Sequence, residues 1–187
     1  MKNTFYRFRN LCLVSVVFFA ACNDADKTTT TTDSTTTTMD TTAMTTPVTN
    51  PEQETINELV PGNANEIAWI QAALDNKSSS KALKDHARMM LADHKKLGTA
   101  VSDLVAKKNW SMPSVDTTGA VTINDKTGKD WDNAWTEKMV ADHAALLDKL
   151  TQAEAKVTDA DLKTLITNTK PVVQKHLDMA KMMQGKQ

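Results

Sequence analysis

The chain has 187 residues and a net charge of −1, from 22 basic and 23 acidic residues. That near balance excludes the basic footprint that nucleic acid or an anionic membrane surface requires. Five glycines and 5% aromatic residues, beside plentiful Ala, Lys, Leu and Met, favour helices over sheets.

The first 21 residues read as an export signal. Lys2, Arg7 and Arg9 form a positive start, and Leu11 to Ala21 is an apolar run too short to span a bilayer but suited to a secretory core. The run ends in Phe19-Ala20-Ala21-Cys22, which resembles the lipobox at which bacterial lipoproteins are cleaved and lipidated, with Phe where Leu, Val or Ile is usual. The expectation is a lipid on Cys22 that ties the chain to a membrane; the other reading is an ordinary signal cut after Ala21. Asn23 stands where an inner-membrane retention signal would show Asp, so the resemblance implies an outer-membrane lipoprotein, on its periplasmic or its surface face. Cys12 would leave with the signal, and no cysteine follows Cys22. Disulfide scaffolding, cysteine zinc sites and thiol catalysis are therefore excluded from the domain downstream.

Residues 22–51 read as a disordered tether. Thirteen threonines fall between Thr28 and Thr46, and such a tract lacks the apolar surface to offset its ordering entropy. Asp33-Ser34-Thr35 and Asp40-Thr41-Thr42 resemble short bacterial O-glycosylation motifs.

From residue 52 to 187 the spacing turns helical. The first helix is predicted from Glu52 to Asp75, interrupted at Pro61-Gly62, with Ile67, Ile70 and Leu74 on one face. Ser78-Ser79-Ser80 offers an N-cap for a second helix over Lys81–Lys108, whose stripe is Met90, His94, Leu97, Val101 and Leu104. A long loop with Pro113, Gly119 and Gly128 follows, in which Val121-Thr122-Ile123 is extended at most briefly. The third helix is predicted over Asp130–Lys156 with Met139, His143, Leu146 and Leu150 in its stripe. Thr158 or Asp159 caps a fourth that runs to Gln184, kinked at Pro171, with Val172, His176, Met179 and Met183 at the same spacing. Met90-Leu91-Ala92-Asp93-His94 and Met139-Val140-Ala141-Asp142-His143 repeat 49 residues apart, which points to two duplicated hairpins packed as an antiparallel four-helix bundle.

Three helices thus carry one histidine each on a core stripe, His94, His143 and His176, and the first places Glu66 at the edge of its apolar face. An unsatisfied buried polar group costs about 1–3 kcal/mol, so three imidazoles at one level need a shared explanation. One is a divalent transition metal (zinc, iron, copper or manganese) held by Glu66, His94, His143 and His176, since bundle interiors are where such ligands meet. The other is a polar layer in which each imidazole bonds a carboxylate and fixes helix pairing, making the domain a structural or interaction module. Asp93 and Asp142 lie 100° round the helix from their histidines and are expected to face solvent or bond across to the next helix. His86 is expected at the bundle margin, a copper-like His86-Met90-His94 face being weaker than core filling by methionine. Trp69, Trp131 and Trp135 are expected to close the ends of the core.

The motifs of serine hydrolysis, of a phosphate-cradling glycine loop and of a His-Glu-x-x-His zinc site are missing, and the sequence argues against rather than for an enzyme. Asp-His also replaces the Glu-x-x-His of carboxylate-bridged di-iron bundles.

Asn65-Glu66, Met90-x-x-Asp93-His94, Gly128-Lys129-Asp130-Trp131-Asp132-Asn133-Ala134-Trp135, Met139-x-x-Asp142-His143 and Lys170-Pro171-x-x-x-x-His176-Leu177 together resemble the ferritin-like bacterial envelope family catalogued as domain of unknown function 4142. The resemblance covers about Gly62 to Met183. It implies a ferritin-like fold, export, and monomers or dimers, and no established activity; an envelope protein partner goes with the interaction-module reading. The loop-like Trp110 to Lys126 departs from the family's longer helical lead-in, and His86 lies outside the pattern.

Overall fold

The computed structural model describes residues 50–185, so the export signal, Cys22 and the threonine tract lie outside the described residues. Four helices follow in order: α1 (Pro51–Asp75), α2 (Lys81–Lys108), α3 (Gly128–Lys156) and α4 (Ala160–Gln184), with no strand among the described residues. None of these helices is long and apolar enough to cross a membrane.

The helix starts are set by side chains that take the orphaned first-turn amides. Asn50 Oδ1 accepts from Gln53 N at 3.0 Å, Ser80 Oγ from Leu83 N at 3.3 Å, and Asp159 Oδ1 from Asp161 N and Leu162 N, both at 3.0 Å. Of the two candidates for the last cap, Asp159 is the one used. α3 begins two residues before the predicted Asp130, at Gly128. Its φ of 55° is a conformation only glycine adopts freely, and its N–H donates to Ser78 Oγ at 2.9 Å.

α1 is not interrupted at Pro61-Gly62; it is one continuous helix. An interior proline removes a backbone hydrogen bond and costs about 3 kcal/mol in an isolated helix. Here Ile56 and Leu59 before it, and Trp69, Ile70 and Ala73 after it, are all buried, so tertiary burial holds both halves on one axis. α4 likewise runs through Pro171 without a break.

α1 pairs with α2 and α3 with α4, and the two hairpins join through α1 against α3 and α2 against α4. The core lies in two apolar clusters. One gathers the start of α1 (Ile56, Leu59), the end of α2 (Val101, Leu104, Val105), the end of α3 (Leu150) and the start of α4 (Leu162, Ile166). The other gathers the end of α1 (Trp69, Ile70), the start of α2 (Leu83, Ala87, Met90), the start of α3 (Trp131, Trp135, Met139) and the end of α4 (Ala180). Hence α1 and α4 run one way and α2 and α3 the other, and every neighbouring pair is antiparallel. The segment 109–127 must therefore travel the length of the bundle. Trp110 packs on the first cluster, and Val121 and Ile123 on the second. This single long crossover is one of the two standard ways to connect a four-helix bundle.

Polar contacts at the ends fix the register. Glu52 Oε1 accepts from Thr158 N at 2.7 Å and Thr158 Oγ1 at 2.8 Å, tying the start of α1 to the α3–α4 turn. At the opposite end Asp132 Oδ2 accepts from Ser80 N at 2.9 Å, and Trp135 Nε1 donates to Trp69 O at 3.0 Å. The tryptophans do close one end of the core, as expected.

His86 is not at the margin. It is 3% exposed, with its ring edge-on to Trp135 at 6.0 Å between centroids, and neither ring nitrogen has a hydrogen-bond partner. Burial, reinforced by His176 and His143, pushes its pKa down to about 4. An apolar residue of similar bulk would not carry that desolvation cost. His86→Leu is expected to raise the melting temperature, with a gain on the order of 1–2 kcal/mol in urea titrations. A clear loss of stability would show that the imidazole has a role beyond filling space.

Candidate metal centre

Between the two apolar clusters lies a polar layer. On α2, His94 sits between Met90 and Val101; on α3, His143 sits between Met139 and Leu150; on α4, His176 sits between Val173 and Ala180. α2 and α3 are diagonal and parallel, so the repeated Met-x-x-Asp-His segments place His94 and His143 at the same level. α4 runs against them and reaches that level five residues beyond Pro171.

The rings pack together, with centroid separations of 5.8 Å (His94–His143), 5.5 Å (His94–His176) and 5.4 Å (His143–His176). None is more than 3% exposed. One ring nitrogen from each lies within 4.8 Å of the others, the one such group among the described residues that could hold a metal ion. A tetrahedral metal at 2.0–2.1 Å from each nitrogen would need them about 3.4 Å apart, so the rings would have to draw together to close on one.

One nitrogen of each ring is held. His94 Nδ1 bonds Asn63 Oδ1 at 3.0 Å, His143 Nδ1 bonds Met139 O at 2.9 Å, and His176 Nε2 bonds Asp93 Oδ2 at 2.9 Å. All three partners are oxygens without a proton to give, so the imidazole N–H must be the donor and the tautomer is fixed. The lone pairs then fall on His94 Nε2, His143 Nε2 and His176 Nδ1, which are the three nitrogens of the layer with no partner. Metal-ligating histidines are oriented in this way, by a carboxylate or carbonyl on the far nitrogen.

The rings are also neutral. Burial pushes His94 down to about 3, with His143 and His176 adding to the shift, and pushes His143 down to about 4, aided by His176. Burial also lowers His176, against the opposing pull of Asp93. A neutral imidazole is the form that ligates a metal.

Of the four residues expected as ligands, the structure therefore brings three together. Glu66 is buried at 8% exposure, but its carboxylate is not part of the mutually close group. Its carboxyl bonds Asp142, and burial, together with that hydrogen bond and the Asp142 charge, holds its pKa well above the usual carboxylate range against the pull of Lys138. Its second oxygen, Oε2, has no partner. Asp142 is also paired with Lys138, whose Nζ lies 5.5 Å from the Trp69 ring centroid. Asp93 reaches across to α4, one of the two alternatives its helical position left open.

Asn63 was not singled out from the sequence, since an asparagine in a helix carries no periodic signal. Its neighbour across the interface is Gly98 on α2, where an added Cβ would meet Asn63 Nδ2 at 3.1 Å. That glycine makes room for the amide that orients His94.

Two clefts approach the layer. One, of about 260 Å³, lies between α1 and α3 and is lined by Asn63, Glu66, His94 and His143. The other, of about 370 Å³, lies between α2 and α4 and is lined by Asp93, His94 and His176.

The chain belongs to the family described as a domain of unknown function (DUF4142), whose family model matches residues 37–183. No curated protein and no solved structure shows significant similarity to it.

The buried neutral histidines set the acid limit of the fold. Their folded pKa values lie below the ordinary 6.5, so the unfolded chain takes up protons that the folded one refuses. Their contribution is complete above about pH 6.5 and is lost as pH falls toward the folded values, at about 1.4 kcal/mol per pH unit for each histidine fully engaged. Glu66 acts in the opposite sense, its contribution fading as pH rises through its elevated pKa, but it is one group against four. The urea midpoint of the metal-free protein is expected to drop steeply between about pH 7 and about pH 5. A midpoint constant over that range would show that the imidazoles are not held neutral.

Proposed function

We propose that the protein is a lipid-anchored envelope protein whose helical domain binds one divalent transition metal through His94 Nε2, His143 Nε2 and His176 Nδ1, for storage, buffering or stress protection. The observation that supports this reading is the pairing of three buried, partnerless lone pairs with three far nitrogens that are each already bonded. His86 also has unpaired ring nitrogens, but only His94, His143 and His176 bring theirs close together, and a polar layer built only to hold helices would gain nothing from gathering three unpaired groups that each cost about 1–3 kcal/mol. A metal ion satisfies all three at once.

The donor set narrows the choice of ion. Neutral imidazoles suit zinc, copper, iron or nickel and are poor ligands for magnesium or calcium, which take oxygen. No thiolate or thioether is needed. The anchoring part of the proposal rests on the lipobox-like Phe19-Ala20-Ala21-Cys22 and the apolar run before it. A lipid on Cys22 and a threonine-rich spacer would hold the domain at the outer membrane while leaving it free to meet metal ions or a protein partner.

Elemental analysis of the purified protein is the direct test of the centre. Near-stoichiometric metal is expected in the wild type, and its loss in each of His94→Ala, His143→Ala and His176→Ala. Zinc, copper, iron and manganese that all fail to bind or to raise the melting temperature on reconstitution would refute a metal centre, since a ligand selective for the folded state must stabilise it. Asn63→Ala and Gly98→Ala should both retain the fold and weaken metal binding, the first by about 10–100-fold, because each disturbs the amide that orients His94. Mass spectrometry of the membrane fraction tests the anchor: a diacylated or triacylated Cys22 is expected, and Cys22→Ser should release the domain.

A further inference from the structure

Three protein ligands leave a tetrahedral metal with one open position, the arrangement of metal sites that exchange ligands rather than of closed structural ones. Granted the three-histidine centre, what occupies that position is decided by the surroundings. Apart from the imidazole nitrogens themselves, only the α1–α3 cleft of the two that reach the layer carries a buried polar atom still lacking a partner. That atom is Glu66 Oε2 on a side chain 8% exposed, which lines the same cavity as His94 and His143. In the α2–α4 cleft the corresponding carboxylate, Asp93, is already committed to His176.

Glu66 is also placed where it does not compete as a ligand. Its carboxyl interacts with Asp142, which Lys138 in turn pairs, and it is not one of the mutually close histidine group. The free oxygen is an acceptor without a donor, and it lies outside the group of mutually close ligand atoms. The cavity of about 260 Å³ is smaller than a pocket for a drug-sized ligand, about 300–1,000 Å³, and its remaining walls include Leu59, Leu97 and Leu146.

We infer that the α1–α3 cleft is the access route to an open coordination position of the metal centre, and that Glu66 is a positioning residue which accepts a hydrogen bond from a small hydroxylic ligand there, water in the resting protein. The site is thereby an exchangeable one, open to small molecules of a few non-hydrogen atoms. Gly62 gives independent control over the route. It lines the cleft, and a Cβ added to it meets nothing within 4 Å, so a large side chain there fills space without displacing backbone.

The test is azide titration of the full chain loaded with Co(II), followed through the visible d–d bands of the ion. Saturable change is expected in the wild type. Glu66→Leu should take up the same amount of Co(II) and bind azide about tenfold more tightly, because the water that azide displaces has lost one hydrogen bond. Glu66→Gln, whose amide oxygen still accepts, should stay near the wild type. Gly62→Phe should keep the metal and lose the azide response. Co(II) bound with no azide response in the wild type would overturn the inference and leave the metal centre standing. A Glu66→Leu protein with wild-type circular dichroism but no Co(II) would also overturn it, by making Glu66 a ligand. Failure of the wild type to bind Co(II) at all would remove both the centre and the inference.

Discussion

An imidazole lone pair that is buried and unpaired destabilises a fold, and here three of them converge at one level of one bundle. Everything that positions the layer works to keep them there. Their N–H groups are engaged by Asn63, Asp93 and the Met139 carbonyl, which leaves the second nitrogen of each ring buried and unpaired. Apolar clusters above and below close the layer along the bundle axis, which leaves the two clefts as its approaches. Neutrality is a consequence of the same burial, since a cationic ring in that environment would be costlier still.

The connectivity follows from the same requirement. Two parallel helices on the diagonal, α2 and α3, present identical Met-x-x-Asp-His segments at equal height, which is a simple way to bring two histidines face to face. Running α3 parallel to α2 obliges the chain to return along the bundle between them. The segment 109–127 is therefore long because it has the whole length to cover, and its apolar residues pack on both clusters as it goes. The two Asp residues of the repeat then differ in use. Asp93 bonds a histidine on α4, whereas Asp142 bonds Glu66 on α1 and Lys138 one turn before it. A sequence repeat has been given two distinct roles by which helix each copy faces.

The four helices, their caps at Ser80 and Asp159 and the histidine level could be read from residue spacing because core stripes and N-caps are local patterns. So could the family, because its motifs carry specific residues at fixed separations. What the sequence did not yield is informative in each case. Pro61 reads as a break because propensity knows nothing of Ile56, Leu59, Trp69 and Ile70, whose burial holds the helix together across it. His86 reads as marginal because its position before the stripe says nothing of Trp135, which comes from another helix and covers it. Asn63 and Gly98 carry no periodic signal at all; their partnership exists only where α1 crosses α2. Glu66 was legible as a buried carboxyl but not as one turned aside by Asp142, since that contact joins residues on different helices.

Charge balance gives the last constraint. Three neutral imidazoles bring no charge of their own to a divalent ion, so a dication among them would be a buried charge in an otherwise apolar bundle and strongly unfavourable without compensation. The anionic groups nearest to hand are Asp93, bonded to His176, and the Glu66–Asp142 pair beside His143, partly offset by Lys138. They surround the layer on two sides without entering the set of mutually close nitrogens. Such an arrangement compensates a cation through its second sphere while leaving the first sphere to nitrogen. It favours an ion that accepts neutral donors and tolerates a vacant position, and it disfavours hard cations that need carboxylate oxygen in direct contact. In the proposed centre the carboxyls of this bundle would have a different task from those of carboxylate-bridged di-iron bundles, where they are the ligands themselves.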